Sequence, residues 1–592
     1  MPWLLNPRRA AILLLTALVV LTTTALLAAQ SSSRPAKPVP ADLVLRNGAV
    51  YTVDAARRWA SAVAVRAGRI VWVGEEDGAG AFVGPRTRVI DLAGKMVLPG
   101  FHDSHVHLVE GGVDLGQCAL TDGMDREAIL AAVRKYAAAN PGKAWIEGSG
   151  WPLPAFPGAN PGKELLDAVV PGRPVYLTAA DGHSAWVNSR ALAAAGITRE
   201  TKDPPNGRIE RDPKTGEPTG TLREAAKGLV ARLLPKTTAE ERVAGLLRAV
   251  REANRFGITA IEDASTSEEQ LRAYAELDRR GELTLRAAAA LRVDPAKGAA
   301  DVPRLVELRR RYLRGSGHLR PIAAKIFADG VIESRTAALL APYLDPATGK
   351  ETGERGIANY RPEEMDRLVA ALDRERFEIH VHAIGDRAIR MTLDAFEKAR
   401  AVNGRRDSRH QIAHLELVDG ADIPRFERLG VIADFQPLWA FADSYIRDLT
   451  VPVLGEARSR RLYPLGSVGR TGAVLACGSD WDVTSMNPLE AIQVAVTRRD
   501  PAAGPGPAWQ PEELADLPAL LACYTIGGAY AAFEEGETGS IEPGKAADFA
   551  ILDRDLFRVP REEISKARVL LTFLAGREVY RRAVPGSGVE PK

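Results

Sequence analysis

The chain carries matching halves of a β structure at its two ends, and this constrains its fold more than any other feature. Near the start, DLVLRNGAVYTVD, SAVAVRAGRIVWVGEE and RVIDLAGKMVLPG are short β-branched runs separated by Asn-Gly and Ala-Gly turns. Near the finish, GSIEPGKAADFAILDRD and RVLLTFLAGREVY have the same character. Two half-sets of strands can pair only if the long middle forms a closed body that returns its ends to one place. The expectation is a discontinuous small β-sandwich built from residues 41–99 and 537–585, flanking one large domain over 100–536.

Between the halves, short apolar runs alternate with helical stretches, the pattern of βα units around a parallel sheet. Candidate strands are 100–106, 258–262, 283–291, 322–328, 378–382, 410–415, 431–435 and 474–477. Eight such strands close a (β/α)8 TIM barrel, so the class is α/β. One barrel can absorb much of a 592-residue length that an average domain size would divide into several units. Residues 115–256 form a large insertion after barrel strand 1, rich in Trp, Pro and Gly and too long for an ordinary loop. In a barrel such an insertion lies on the catalytic face, where it can cap a substrate.

Lysine plus arginine number 78 and aspartate plus glutamate 76, a net charge of +2 with no basic stripe. Nucleic acid is therefore not an expected partner, and a neutral or small substrate is. Cys118, Cys477 and Cys523 lie far apart, which allows one disulfide at most and excludes a cysteine-rich zinc site. Arg8 and Arg9 precede a charge-free run over 10–29, then Gln30 and three serines, the layout of a secretory signal peptide. An uncleaved membrane anchor is the alternative for residues 1–30, with 31–40 as linker. Either way the working domain is expected in the periplasm or outside the cell. A homodimer is the base-rate expectation for its assembly.

The nine histidines are few and unevenly placed. His105 and His107, in FHDSHVH, are two apart at the end of the first candidate strand, and a period of two puts both rings on one face. Asp103 shares that face and could orient a ligating ring. His382 and His414 fall at the ends of the fifth and sixth strands; their companions His380 and His410 point to the same side but deeper. Asp480 follows the eighth strand, where a carboxylate can bind a metal and move a proton. Lys325 lies in an apolar strand, where desolvation favours the neutral amine that can react with CO2 to give a carbamate. The alternative is a buried pair between Lys325 and Asp329.

Together, PGFHDSHVH, AAKIFADG, VHAIGDRA, RHQIAHLELV and CGSDW, in this order, resemble the amidohydrolase superfamily. More narrowly they are similar to its family 3 members, the group that includes N-substituted formamide deformylases. The resemblance implies a centre of two divalent metals. His105, His107 and Asp480 hold one, His382 and His414 hold the other, and Lys325, as N6-carboxylysine, bridges them. Zinc is the first choice, with iron or manganese as alternatives. The implied chemistry is metal-assisted hydrolysis of an amide or formamide-like C–N bond, with Asp480 as the proton carrier. Cyclic amides, carbamates and dipeptide-like amides are alternative substrates on the same site, and a non-catalytic metal-binding protein is the alternative outside enzymology. The segment DGHSAWVN is also similar to the family, so His183 is a candidate substrate contact, joined by Trp151 from the same insertion and by Arg335 after the Lys325 strand. Two departures from the family pattern stand out: Asp482, where Pro is frequent, places an extra carboxylate near the site, and the strand-six motif reads Ala413-His-Leu-Glu where the family commonly has Glu before the His and Ala-Gln after it.

Overall fold

Eight parallel strands follow one another around a single sheet in chain order: β1 (Phe101–Val106), β2 (Ile258–Thr266), β3 (Arg286–Arg292), β4 (Leu319–Phe327), β5 (Glu378–Ala383), β6 (Gln411–His414), β7 (Ile432–Phe435) and β8 (Leu475–Cys477). In this computed structural model the described residues are 38–583, except 122, 314–316 and 503–504. The charge-free run read as an export segment lies outside them. Among the described residues, no helix is long and apolar enough to cross a membrane.

The strands read as near-continuous apolar runs because both faces are covered, as parallel sheets require. Helices cover the outer face. In Glu268–Arg279, for example, Leu271, Tyr274 and Leu277 recur every third residue and are fully buried, and the Ser267 hydroxyl caps the start by accepting from the Gln270 N–H at 3.3 Å. The last strand meets the first through Gly478, where a Cβ would lie 2.5 Å from the His105 nitrogen. Past this close approach the Asp480 N–H donates to the His105 carbonyl at 2.7 Å, and the His107 N–H donates to the Trp481 carbonyl at 2.6 Å. The mouth of the barrel is therefore closed by the backbone that carries the chemistry. Cys477, ending β8, is disulfide-bonded to Cys523, with Cα atoms 5.3 Å apart, whereas Cys118 is a free, buried thiol.

The two chain ends share one six-stranded sheet, in which Phe549–Leu552 runs antiparallel to Met96–Pro99. A four-stranded sheet from the N-terminal half packs against it. Alternation divides the burial: Val97, Phe549 and Ile551 fill the core between these sheets, while Met96, Leu98, Ala550 and Leu552 pack against the barrel. The insertion after β1 forms a mostly separate unit, a six-stranded sheet from Cys118–Ala119 to Pro218–Glu224 with apolar clusters of its own.

Candidate metal centre and active site

His105 is the penultimate residue of β1, and His107 follows where the strand gives way to the helix Leu108–Asp114. Both rings reach one carboxylate: Asp480 Oδ1 lies 3.1 Å from His107 Nε2 and 3.5 Å from His105 Nε2. Ligand atoms of these three residues lie within 4.8 Å of one another, close enough for one ion. From β4, Lys325 brings Nζ to 3.3 Å from His105 Nε2. His382 on β5 and His414 on β6 face each other with ring centroids 4.5 Å apart, and His414 is 4.7 Å from His105. His414, Leu415 and Asp480 have left-handed φ angles of 78°, 50° and 51°. Such conformations cost about 1–3 kcal/mol each and concentrate where functional groups are held in place.

Beneath this mouth a buried chain of polar groups orients His105. Its Nδ1 lies 2.8 Å from His380 Nε2, and His380 Nδ1 lies 2.8 Å from Glu262 Oε1. Gln411 Nε2 donates to the other Glu262 oxygen at 2.8 Å. Glu262 accepts the His380 Nδ1–H, so His380 Nε2 accepts from His105 Nδ1–H, and His105 keeps a bare Nε2 facing Asp480 and Lys325.

Burial dominates the electrostatics. It lowers the Lys325 ammonium to about 8, so a neutral fraction is present near neutrality. Burial first, and then neighbours that include Lys325, hold His105, His382 and His414 well below their ordinary value, leaving neutral rings that can each offer a lone pair. His107 behaves oppositely: burial alone would lower it, but its hydrogen bond to Asp480 and the charge of that carboxylate raise it to about 9. A proton is thus drawn to the place where a cation would bind. His414 Nδ1 is buried without a hydrogen-bond partner, and Asp480 Oδ1 has the nitrogens of His107 and His105 as its neighbours. Neutral imidazoles, a carboxylate, a near-neutral amine and an orphaned acceptor make a donor set that fits divalent metal.

Over residues 88–580 the sequence matches the amidohydrolase family. The chain belongs to that family. It is 32% identical over 569 residues to Protein LONG AFTER FAR-RED 3 of Arabidopsis thaliana, covering 93% of each chain. It is 29% identical to N-substituted formamide deformylase of Arthrobacter pascens over 91% of this chain and 98% of that one. An uncharacterized metal-dependent hydrolase from Pyrococcus furiosus has a similar structure, with a TM-score of 0.65, 26% identity and coverage of 87% and 99%. As an amidohydrolase, the protein is a metal-dependent hydrolase of carbon–nitrogen bonds other than peptide bonds.

In this amidohydrolase the centre forms the floor of a cavity of about 560 Å3, roofed by the insertion. His183 reaches the cavity from the insertion, its Nδ1 2.9 Å from Glu224 Oε2 and its ring 5.0 Å from that of His382. The remaining ring nitrogen is left for the cavity. Trp151 and Arg335 do not join it. Trp151 is fully buried in the core of the insertion against Phe156 and Trp186, its Nε1–H donating to the Leu177 carbonyl at 3.0 Å. Arg335 turns outward to Glu354, 3.9 Å away. Asp103 orients no ring: it accepts from the Ser479 N–H at 2.9 Å and the Ser479 hydroxyl at 2.5 Å, anchoring the turn that carries Asp480. The reason is a slip in register between β1 and β2 after Asp103, which breaks the alternation that would have put it beside His105. Asp329 is not paired with Lys325; it accepts the backbone N–H groups of Ala338, Ile384 and Gly385. His410, at the closed end, binds Asp373 at 3.1 Å. Asp482 lines the cavity, and burial pushes its carboxyl up to about 6. Sequence reasoning missed the Glu262–His380–Gln411 chain, although a lone carboxylate in the strand 258–262 was the available signal, because a buried charge needs partners.

Proposed function

We propose that the protein is an exported amidohydrolase that cleaves an N-substituted formamide or a similar small amide at a centre for two metals. His105, His107, Asp480, His382 and His414 would hold the metals, with carboxylated Lys325 between them. The observation that carries the reading is the meeting of side chains from β1, β4 and the turn after β8: His105 Nε2 is 3.3 Å from Lys325 Nζ and 3.5 Å from Asp480 Oδ1, on the floor of a roofed cavity. Divalent metal bound there, zinc by preference, supplies Lewis acidity and lowers the pKa of water. The chain does the rest. The neutral Lys325 amine adds to CO2, losing one proton to give the carbamate anion. Asp480 takes a proton from the attacking water and returns it to the departing nitrogen, so that an amine leaves rather than an amide anion. His183, fixed through Nδ1 by Glu224, presents its other nitrogen to the carbonyl oxygen. The formamide substrate is supported by the deformylase relative, and export by the signal-like N-terminus and the Cys477–Cys523 disulfide, a bond that persists in oxidising compartments.

The test is metal analysis of protein purified without chelator, together with amine release from a panel of N-formyl amines. Bound divalent metal and turnover that disappears in Asp480→Asn are expected. Metal-free protein, or turnover indifferent to Asp480, would overturn the reading. Fractionation of the native host, with the mature N-terminus sequenced, tests export; cytoplasmic protein that retains residues 1–30 would refute it.

A further inference from the structure

The barrel and the insertion meet at the turn that follows β4, and this turn touches histidines of both. The Gly330 carbonyl lies 3.2 Å from His382 Nε2. A carbonyl only accepts, so the neutral His382 ring carries its proton on Nε2 and keeps Nδ1 bare for a metal. Six residues on, the fully buried Thr336 hydroxyl donates to Glu224 Oε1 at 2.8 Å and accepts the Val331 N–H at 2.9 Å. Glu224 is the carboxylate that holds His183 Nδ1, with Oε1 at 3.0 Å and Oε2 at 2.9 Å. One turn of the barrel therefore orients a metal ligand directly and the histidine of the insertion through Glu224.

The packing at this junction is close. A Cβ at Gly330 would lie 2.2 Å from Thr336 Oγ1 and 2.3 Å from Glu224 Oε1, so glycine is what lets the hydroxyl and the carboxylate meet. Glu224 ends the strand Pro218–Glu224 with φ 48° and ψ −126°, a conformation uncommon for a residue with a side chain, and its N–H donates to the His183 carbonyl at 2.9 Å. Its carboxyl stays ionised: burial alone would raise it, but His183, Lys227 and the Thr336 hydroxyl hold it below its ordinary value. The Thr336 bond is thus charge-assisted. Ser334 fastens the insertion to the same turn independently. Its hydroxyl accepts from the buried Arg223 guanidinium at 3.2 Å, and its carbonyl accepts from Arg208 at 2.8 Å. Loss of the Thr336 hydroxyl alone should therefore loosen His183 without releasing the insertion.

We propose that Thr336 is a positioning residue: its hydroxyl carries the register of the barrel across to Glu224 and so holds His183 at a fixed distance from His382. The two rings are 5.0 Å apart. The part His183 plays in turnover rests on the proposed hydrolase function, whereas the hydrogen-bond chain can be observed without turnover. A donor aimed at a developing oxyanion helps only while its reach is set, and a displacement of about 1 Å can cost about 100-fold in rate.

Thr336→Val removes the hydroxyl and keeps the branched shape, and Thr336→Ser keeps the hydroxyl. Circular dichroism and metal content establish that each variant is folded and loaded. The first measurement is proton NMR of the zinc-loaded protein. The His183 Nδ1–H, bonded to a buried carboxylate, gives a downfield resonance that is assigned by its loss in His183→Gln. In Thr336→Val it is expected to vanish or to exchange with water at least about 10-fold faster, and in Thr336→Ser to persist. The second measurement is hydrolysis of N-formyl amines. In Thr336→Val kcat is expected to fall about 10–100-fold with KM within about twofold, and in Thr336→Ser to recover. In a His183→Gln background Thr336→Val should change nothing further. A resonance that is absent from wild type, or unchanged in Thr336→Val, overturns the proposal. So does a rate loss of equal size with and without His183, which marks a merely structural threonine. Loss of the resonance in Thr336→Val, with no formamide cleaved by wild type, keeps the positioning role and rejects the formamide reading. Cleavage by wild type with normal kcat in Thr336→Val keeps the hydrolase and rejects the positioning role.

Discussion

Glu262→Gln isolates the contribution of the buried chain that fixes the tautomer of His105. The substitution preserves volume and removes a charge. The new amide has one carbonyl oxygen for two donors, His380 Nδ1–H and Gln411 Nε2–H, each 2.8 Å from a carboxylate oxygen in the native protein. If its NH2 faces His380, that ring must carry its proton on Nε2. His105 must then do the same, and the lone pair facing Asp480 and Lys325 is lost. If its oxygen faces His380, Gln411 must turn over and a neutral acceptor replaces a carboxylate. Hydrogen bonds to charged groups contribute about 1.5–3 kcal/mol against about 0.5–1.5 for neutral ones, so the second arrangement costs about 1 kcal/mol. The first removes a ligand. Loss of such an outer partner typically weakens metal binding by about 10–100-fold, and that is the expected rise in Kd. Competition against a chromophoric chelator measures it, with circular dichroism and thermal unfolding to establish that the variant folds. A folded variant whose metal Kd stays within about twofold of wild type would refute the tautomer argument. Asp434, whose Oδ2 is 3.9 Å from His105 Nδ1, would then be the next group to test.

Lys325→Met should separate function from stability. Metal per chain and activity fall, the latter by about 1000-fold or more, while the melting temperature holds or rises because a buried amine has been replaced by an apolar side chain; a variant with normal metal content would contradict the bridging role. Gly112→Ala places a Cβ 2.3 Å from the Gly245 carbonyl oxygen, across the contact between the helices Leu108–Asp114 and Ala239–Arg255. It should cost about 1–3 kcal/mol in denaturant unfolding, whereas Gly80→Ala, with nothing within 4 Å, should be neutral. Burial pushes the carboxyls of Asp329 and Glu333 up to about 7. Their unfolded counterparts ionise near about pH 4, so above that pH the folded state binds more protons than the unfolded state. Their contribution is complete below about pH 4 and is lost as pH rises towards about 7; in metal-stripped protein the melting temperature of Glu333→Gln should therefore rise relative to that of wild type between about pH 5 and pH 7.5.

The barrel was legible from periodicity, and the residues at its mouth from their place at strand ends together with the family motifs. Each strand had to be apolar on two faces, and the histidines at strand ends stand out against such runs. The strand 378–382, for example, lies within β5, with His382 next to the strand end. What periodicity could not convey was where it fails. The register slip after Asp103 sends that carboxylate to Ser479 instead of towards the histidines. Trp151 was misread because an aromatic in a substrate cap has the same local pattern as one in the core of that cap. Arg335, with a left-handed φ of 55°, sits in a turn whose direction no strand or helix period encodes. The Glu262–His380–Gln411 chain joins three different strands, so its members become neighbours only once the sheet has curled.

The antiparallel pairing of Phe549–Leu552 with Met96–Pro99 has a temporal consequence. On the ribosome, at about 5–20 residues per second, the earlier strand waits roughly 20–90 s for a partner made about 450 residues later. Throughout that interval Val97 and Leu98, both fully buried in the finished protein, lie on a strand without its neighbour, where another chain can pair with it. The final stretch of the sequence therefore works as a clasp. Ribosomes that stall before it release a chain with an open sheet edge, and such chains are expected to be substrates for chaperones or to aggregate.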